Sequence, residues 1–373
     1  MPQNLPPHTT LTYKSIGDHT TSLDVFPPII RAVTGNITPH YVPALVFFHG
    51  GGLTVGTRKS WFAHWLHRRT TESGITFISV DYQLMPPGTG HNVVSDIRDL
   101  FTFISGDNAT FKTKVENTGD EIVCKIDINA IAVAGPSAGG LCAYLAAGIV
   151  QPKPKALLSL YGMGGDFLTP YYLEQKHEVF VSGREILDPN DFKEFLYPFS
   201  LPTLTGSELE YHPNDHPTPG LPANPRMRLG RLYLQLGNYL DYYTGDHSPS
   251  LSEVLRNKRR EVLEDYRDST TALRSEDWGA PLIPSGHRVL FPQLNVTPDW
   301  PEMLLVHGTD DYLVYLAESQ NLKSIAEAAG VKVTLKTVEG KGHTFDLHPE
   351  AEVEFNDLFD EIKDFLKRKL VHP

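Results

Sequence analysis

Gly135-Pro136-Ser137-Ala138-Gly139 places a hydroxyl between glycines two residues to either side. The apolar run Ile131-Ala-Val-Ala leads into it and an Ala/Leu-rich stretch from Leu141 to Val150 follows. A G-x-S-x-G between a strand and a helix marks a nucleophile held out on a sharp turn. Side chains at 135 and 139 would collide across such a turn, so glycine is required there. The same turn sets a helix N-terminus, with its unpaired N–H groups, beneath the oxyanion that forms at an attacked carbonyl. The chemistry implied is acyl transfer through Ser137. Upstream, His49-Gly50-Gly51-Gly52 follows the apolar run Ala44-Leu-Val-Phe-Phe. Alone, a glycine run is usually only a turn. Paired with the serine motif, it offers backbone N–H groups that approach a substrate oxygen closely, and Gly51, Gly52 and Ala138 are the expected oxyanion-hole donors. His49 is expected to orient this loop through hydrogen bonds and not to act as the base.

Such groups need a rigid frame, and the pattern around them supplies one. Leu11–Lys14 and Ser22–Phe26 read as an early hairpin, and 44–48, 75–80 and 131–134 as apolar strands. Helical spacing covers 59–72 (with Trp61, Trp65 and Leu66 on one face), 94–104 and 141–150. After a long interruption, 302–306 and 331–338 read as strands, 316–329 as a helix and about 352–370 as a closing amphipathic helix. Strands alternating with helices, bounded by glycine, predict a doubly wound, mostly parallel α/β sheet covered on both faces. Residues 165–300 differ in texture: prolines crowd 198–225 and aromatics are dense. Helices are expected near 224–244 and 250–266. Leu232, Leu236, Tyr239 and Tyr243 recur on one helical face, which packs the insertion's own core or, in part, lines a pocket. The expected organisation is a catalytic domain of residues 1–164 and 301–373 with a largely helical cap, 165–300, inserted between two strands.

His49-Gly-Gly-Gly, then Val80-Asp81-Tyr82-Gln83-Leu84-Met85-Pro86, then Gly135-x-Ser137-x-Gly139 resembles the hormone-sensitive-lipase-like branch of the α/β hydrolases. The resemblance covers about 41–150 and 301–350 and stops short of the insertion. Pro136 stands where that branch carries an acidic residue, and the chain has little sequence before its first strands for that branch's N-terminal cap helices. The resemblance implies a triad in the order serine, acid, histidine. Its H-G-x-x-D spacing, in Leu304-Leu-Val-His307-Gly-Thr-Asp310-Asp311, points to Asp311, with Asp310 as the alternative. Gly340-Lys-Gly-His343-Thr-Phe, after the last strand, supplies His343 as the base. Asp81 and Tyr82 are expected to fix the loop after their strand, not to touch substrate.

Composition removes other classes. With 33 basic and 45 acidic residues the net charge is −12, and no Lys/Arg run suggests a nucleic-acid partner. No apolar run reaches the length of a membrane span, and Met1–His8 lacks the pattern of a secretory signal. Two cysteines make no disulfide framework. Cys142 reads as a buried structural thiol, and the sequons at Asn36 and Asn295 carry little weight without a signal, so a cytoplasmic setting is expected. His64, His67 and His348 form no metal-ligand spacing, and no nucleotide-binding glycine motif occurs. No metal or cofactor is therefore expected. The leading expectation is a serine hydrolase acting on a small-molecule ester or lactone, with amides as a close variant. An acyltransferase, cyclase or lyase on the same triad is the alternative. A receptor-like binding protein on this fold is disfavoured because His343 is retained.

Overall fold

A computed structural model describes residues 5–32, 39–265 and 275–371. The Met1–Asn4 stretch, the Asn36 sequon and residue 266 lie outside the described residues. Its frame is one sheet of nine strands among the described residues: β1 (Thr9–Ile16), β2 (His19–Phe26), β3 (His40–Phe48), β4 (Thr76–Val80), β5 (Thr110–Lys114), β6 (Glu121–Pro136), β7 (Ala156–Leu160), β8 (Glu302–Gly308) and β9 (Val333–Val338). They lie in the order β1-β2-β4-β3-β6-β7-β8-β9, with β5 beside the first half of β6. β1 pairs β2, β2 pairs β4 and β5 pairs β6 antiparallel, and the spatial run β4-β3-β6-β7-β8-β9 is parallel.

The parallel strands read as continuous apolar runs because both faces are covered. Ala44, Val46 and Phe48 face one core while Leu45 and Phe47 face the other, and Ile131/Val133 against Ala132/Ala134 repeat that alternation. Helices α2 (Gly90–Ser105) and α3 (Ala138–Ile149) cover the first face. Helix α1 (His64–Glu72) covers the second, where Trp65 stacks on Phe359 with ring centroids 3.8 Å apart.

Between β7 and β8 the chain leaves the sheet for α4 (Pro170–Leu173), α5 (Arg226–Leu236), α6 (Tyr239–Thr244), α7 (Leu251–Asp265), α8 (Ser275–Gly279) and several 3-10 turns. It returns to the sheet at β8, α9 (Leu316–Ala328) links β8 to β9, and α10 (Ala351–Glu354) and α11 (Asn356–Leu370) close the fold. Phe359, Ile362 and Phe365 of α11 join α1 on the second face.

Two expected helices differ in the structure, and one strand has no counterpart among the expected elements. The helix expected over 59–72 begins only at His64, because Trp61 takes a left-handed φ of 46° that no helix tolerates. The helix expected over 224–244 is two helices, separated where Gly237 adopts φ 63°. A side chain there would press on the Leu173 carbonyl. The strand without an expected counterpart is β7, whose Ser159 is buried among apolar neighbours. It lies just beyond the proline-bearing stretch 151–155, with no motif beside it.

Candidate active site

Ser137 sits where β6 ends and α3 begins, with φ 53° and ψ −121°. A non-glycine residue so held costs on the order of 1–3 kcal/mol. Its neighbours enforce the turn. The Ser137 N–H donates to the Leu160 carbonyl (2.9 Å), and its own carbonyl accepts from Gly140 and Met163 (2.9 and 3.0 Å). A Cβ at Gly139 would collide with the Phe48 carbonyl, and one at Gly135 with Gly139 itself. The five positive-φ residues other than glycine among the described residues are Leu53, Trp61, Ser137, Tyr161 and Thr344. Four of them line one cavity, and Leu53 follows its glycine loop. Strain gathered at one place marks a site.

That cavity, about 590 Å³, is walled by Gly50, Gly51, Gly52, Ser137, His343 and residues of the 161–301 segment. Its glycine loop leaves β3 with φ 109° at Gly51 and 62° at Gly52. A side chain on Gly51 would run into the Val55 carbonyl. His49 is buried beneath the loop, its ring stacked on Tyr82 (centroids 4.2 Å apart). Nδ1 donates to the Gly50 carbonyl (2.7 Å), and the Tyr82 hydroxyl donates to the His49 carbonyl (2.7 Å). Burial lowers the His49 ring to about 4, so it is neutral near pH 7. Asp81 accepts from the backbone and side chain of Arg58 (2.7 and 2.5 Å). Asp81 and Tyr82 thus fix loops and stand off the cavity wall.

The turns after β8 and β9 are laced together. Thr309 N–H donates to Val338 O and Asp310 N–H to Lys341 O (both 3.0 Å), and a Cβ on Gly308 would collide with the Lys341 carbonyl. This crossing brings His343 Nδ1 to 2.7 Å from Asp311 Oδ2. Among the described residues, the Asp310 carboxylate accepts a hydrogen bond only from Thr309 Oγ1, at 3.2 Å. Asp311 Oδ1 accepts from the N–H groups of Leu313 and Val314 (2.9 and 3.0 Å). His307 Nε2 lies 3.4 Å from Oδ2 while meeting the Val314 carbonyl at 2.8 Å. Burial alone would push the Asp311 carboxyl up. The hydrogen bonds from His307 and His343, the charge of His343 and the Val314 amide outweigh it and hold Asp311 well below the usual carboxylate range. Tyr161 meets the His343 ring edge-on (4.7 Å between centroids) and donates its hydroxyl to Asp346 (2.5 Å), which also accepts from Trp65 Nε1 (2.9 Å).

The opposite wall comes from the segment between β7 and β8. Helix α5 crosses the glycine loop so closely that a Cβ on Gly52 would lie 3.7 Å from Gly230 Cα. Arg226 anchors that crossing. Its buried guanidinium donates to the carbonyls of Thr54 (2.9 Å), Met85 (3.0 Å) and Pro86 (2.6 Å). Tyr239 lines the cavity, its hydroxyl 3.2 Å from the Gly52 carbonyl, whereas Leu232 and Tyr243 are core. The aromatic stripe therefore divides between the two roles open to it. Neither Arg226 nor Tyr161 carries a local sequence signal, because the groups they touch lie far along the chain. Cys142, behind the elbow, is buried and its thiol is pushed up by that burial, as is Cys124, to about 11. No helix among the described residues is long and apolar enough to cross a membrane.

Residues 45–216 match a family model described as alpha/beta hydrolase fold. Over 123 residues, 32% of its length, the chain is 29% identical to a probable carboxylesterase M8 of Phoma sp., covering 37% of that protein. Over 320 residues, 82% of its length, it is 23% identical to the non-reducing polyketide synthase ausA of Aspergillus calidoustus, covering 12% of that protein. The chain thus spans about a third and an eighth of these curated relatives. A solved esterase from Pyrobaculum calidifontis superposes on 99% of this chain and 87% of its own, with a TM-score of 0.55 at 17% identity.

Proposed function

The chain has the α/β-hydrolase fold, and on that footing we propose that it is a carboxylic-ester hydrolase working through an acyl-enzyme on Ser137. The observation that carries this reading is the hydrogen bond from His343 to a fully partnered Asp311, on the wall of the cavity that also holds strained Ser137 and the glycine loop. In this reading His343 takes the Ser137 proton as Oγ bonds to the ester carbonyl carbon. The electron pair of the carbonyl moves onto oxygen, where the N–H groups of Gly51, Gly52 and Ala138 stabilise it. Collapse expels the alcohol, which receives the proton from His343. Water, deprotonated by the same ring, then releases the acid and restores the serine. Asp311 keeps Nδ1 protonated and stabilises the imidazolium. Residues 165–300 serve as a cap that shapes the pocket for a small ester or lactone.

A second reading keeps this triad but delivers the acyl group to an alcohol or to the substrate's own hydroxyl, as an acyltransferase or cyclase. It is favoured by the alignment of 82% of this chain with one segment of a polyketide synthase. Short 4-nitrophenyl esters decide between them. Burst release followed by steady turnover to the free acid supports hydrolysis. Labelling of Ser137 by a fluorophosphonate without turnover of any ester supports transfer. Ser137→Ala should lower kcat by about 10⁶ with an unchanged melting temperature. Parent-like activity in that variant would remove Ser137 from the chemistry.

A further inference from the structure

The chain as a whole is acidic, at −12, yet the charged side chains on the cavity wall are Arg184, Glu185, Arg228 and Arg231. Three of the four are cationic, opposite to the balance of the molecule. Arg231 is committed: it donates to the Glu185 carbonyl (2.7 Å) and to its carboxylate (3.1 Å). The other two are not. Among the described residues no carboxylate pairs with Arg184 or Arg228. Arg228 rests over the Phe192 ring at 5.3 Å, and its Nε is buried with no hydrogen-bond partner. A buried donor without an acceptor is costly unless something completes it.

Both of the other guanidinium groups also act on Arg231. Burial pulls the Arg231 group down, the Glu185 carboxylate opposes that, and the nearby charges of Arg184 and Arg228 add to the lowering. Like charges held together across a partly enclosed wall form a poor resting arrangement and a good receptor for an anion. Guanidinium groups suit planar or tetrahedral oxyanions because they donate in pairs. Their position is specific: Arg228 and Arg231 flank Gly230, the residue of α5 that lies against oxyanion-loop Gly52. Met227, Leu234 and Leu221 line the same wall and supply an apolar stretch beside the cations.

We propose that the substrate is an amphiphilic ester bearing an anionic group, a carboxylate or a phosphate, which Arg184 and Arg228 receive at the cap side of the cavity. This rests on the ester-hydrolase reading for its turnover test, but not for its binding test.

The turnover test compares matched acetate esters: 4-acetoxyphenylacetate, 4-acetoxyphenyl phosphate and the neutral 4-acetoxyphenylacetamide. Mono-4-nitrophenyl adipate against 4-nitrophenyl hexanoate places the charge on the acyl side instead. The expected result is a kcat/KM at least tenfold higher for one charged probe than for its neutral match, expressed in KM and shrinking with added salt. In the double variant Arg184→Gln/Arg228→Gln the charged-to-neutral ratio falls to near one. The carboxylate and phosphate arms show which anion is preferred. Equal kcat/KM for charged and neutral probes in the parent overturns the proposal, as does a ratio that the double variant leaves unmoved. Calorimetric titration of the Ser137→Ala protein with the same probes reads binding without turnover. A tenfold tighter Kd for a charged probe supports the anion site even if no ester is hydrolysed, and equal Kd values overturn it even if esters are hydrolysed well.

Discussion

The two walls of the cavity are built by different rules. On the sheet side, Ser137, Gly51, Asp311 and His343 each follow a parallel strand within a few residues, and each turn is dictated by contacts close in sequence or on a neighbouring strand. On the covering side, polar groups are satisfied across great separations. Arg226 reaches the Thr54 carbonyl, Tyr239 the Gly52 carbonyl and Tyr171 the Leu313 carbonyl (2.9, 3.2 and 2.7 Å). Regular strands hold the groups proposed for the chemistry, and individual side chains pin an irregular layer over them. Damage to the first wall should remove rate with little loss of fold. Damage to the second should change affinity and stability together.

The sharpest test of the first wall is Asp311→Asn. The amide can still accept from Val314, but it no longer fixes the His343 tautomer or stabilises its charge. Turnover should fall by about 10⁴, as expected for loss of a triad acid, while the melting temperature moves by only a few degrees. A loss of tenfold or less would shift the acid's role to another carboxylate. Gly51→Ala should follow, lowering kcat by about 10² to 10³, the range for a lost oxyanion donor. The added methyl meets both a φ of 109° and the Val55 carbonyl. An alanine variant with unchanged kcat would show that the loop at 51 takes no part in stabilising the oxyanion.

For the second wall, Arg226→Met keeps the length of the side chain and its packing on Phe195 but abandons three buried carbonyls. Leaving such acceptors unpaired costs on the order of 1–3 kcal/mol. Denaturant unfolding should register that loss, and KM should rise more than kcat falls. A fluorophosphonate should still label Ser137. If kcat collapses while KM and stability hold, the division between the two walls is wrong.

The same division explains what could be read from the sequence. The glycine loop, the elbow and the turns bearing Asp311 and His343 announce themselves because close backbone approach demands glycine at set spacings. Most of the parallel strands declared themselves as apolar runs. Trp61 and Trp65 misled, since a spacing of four is helical only where the backbone is. Trp61 turns to the cavity, while Trp65 packs under α11 on the far face. Arg226 and Glu318 carried no local signal at all: the carbonyls Arg226 meets lie more than a hundred residues away, as do the donors to Glu318. The stretch 196–225, rich in proline, folds without a helix and offers no periodicity to read.

Glu318 gives the smallest effect and the finest comparison with Asp311. Both carboxylates are buried and both accept backbone N–H groups, yet they are driven in opposite directions. Glu318 takes hydrogen bonds from Gly164 and Gly165 (2.6 and 3.1 Å) and from the Tyr172 hydroxyl (2.7 Å), with no cation among these partners. Burial dominates and raises it from 4.5 to about 8. Asp311 has two histidines and is held down. A carboxyl that binds its proton more tightly when folded lends stability fully below about pH 4.5, and that contribution is lost as pH climbs through about 8. Asp311 behaves in the reverse sense, supporting the fold at neutral pH and ceasing to do so in acid. Glu318→Gln keeps an acceptor for the glycine N–H groups and a donor toward Tyr172 but has no proton to lose. Between pH 6 and pH 9 the parent's melting temperature should therefore fall further than the variant's, by about 2 °C or more. Turnover of short esters should change little, because Glu318 ties the entry of the covering segment to α9 and does not line the cavity. A difference in melting temperature that stays constant across that range would show that Glu318 does not titrate in the fold between pH 6 and pH 9.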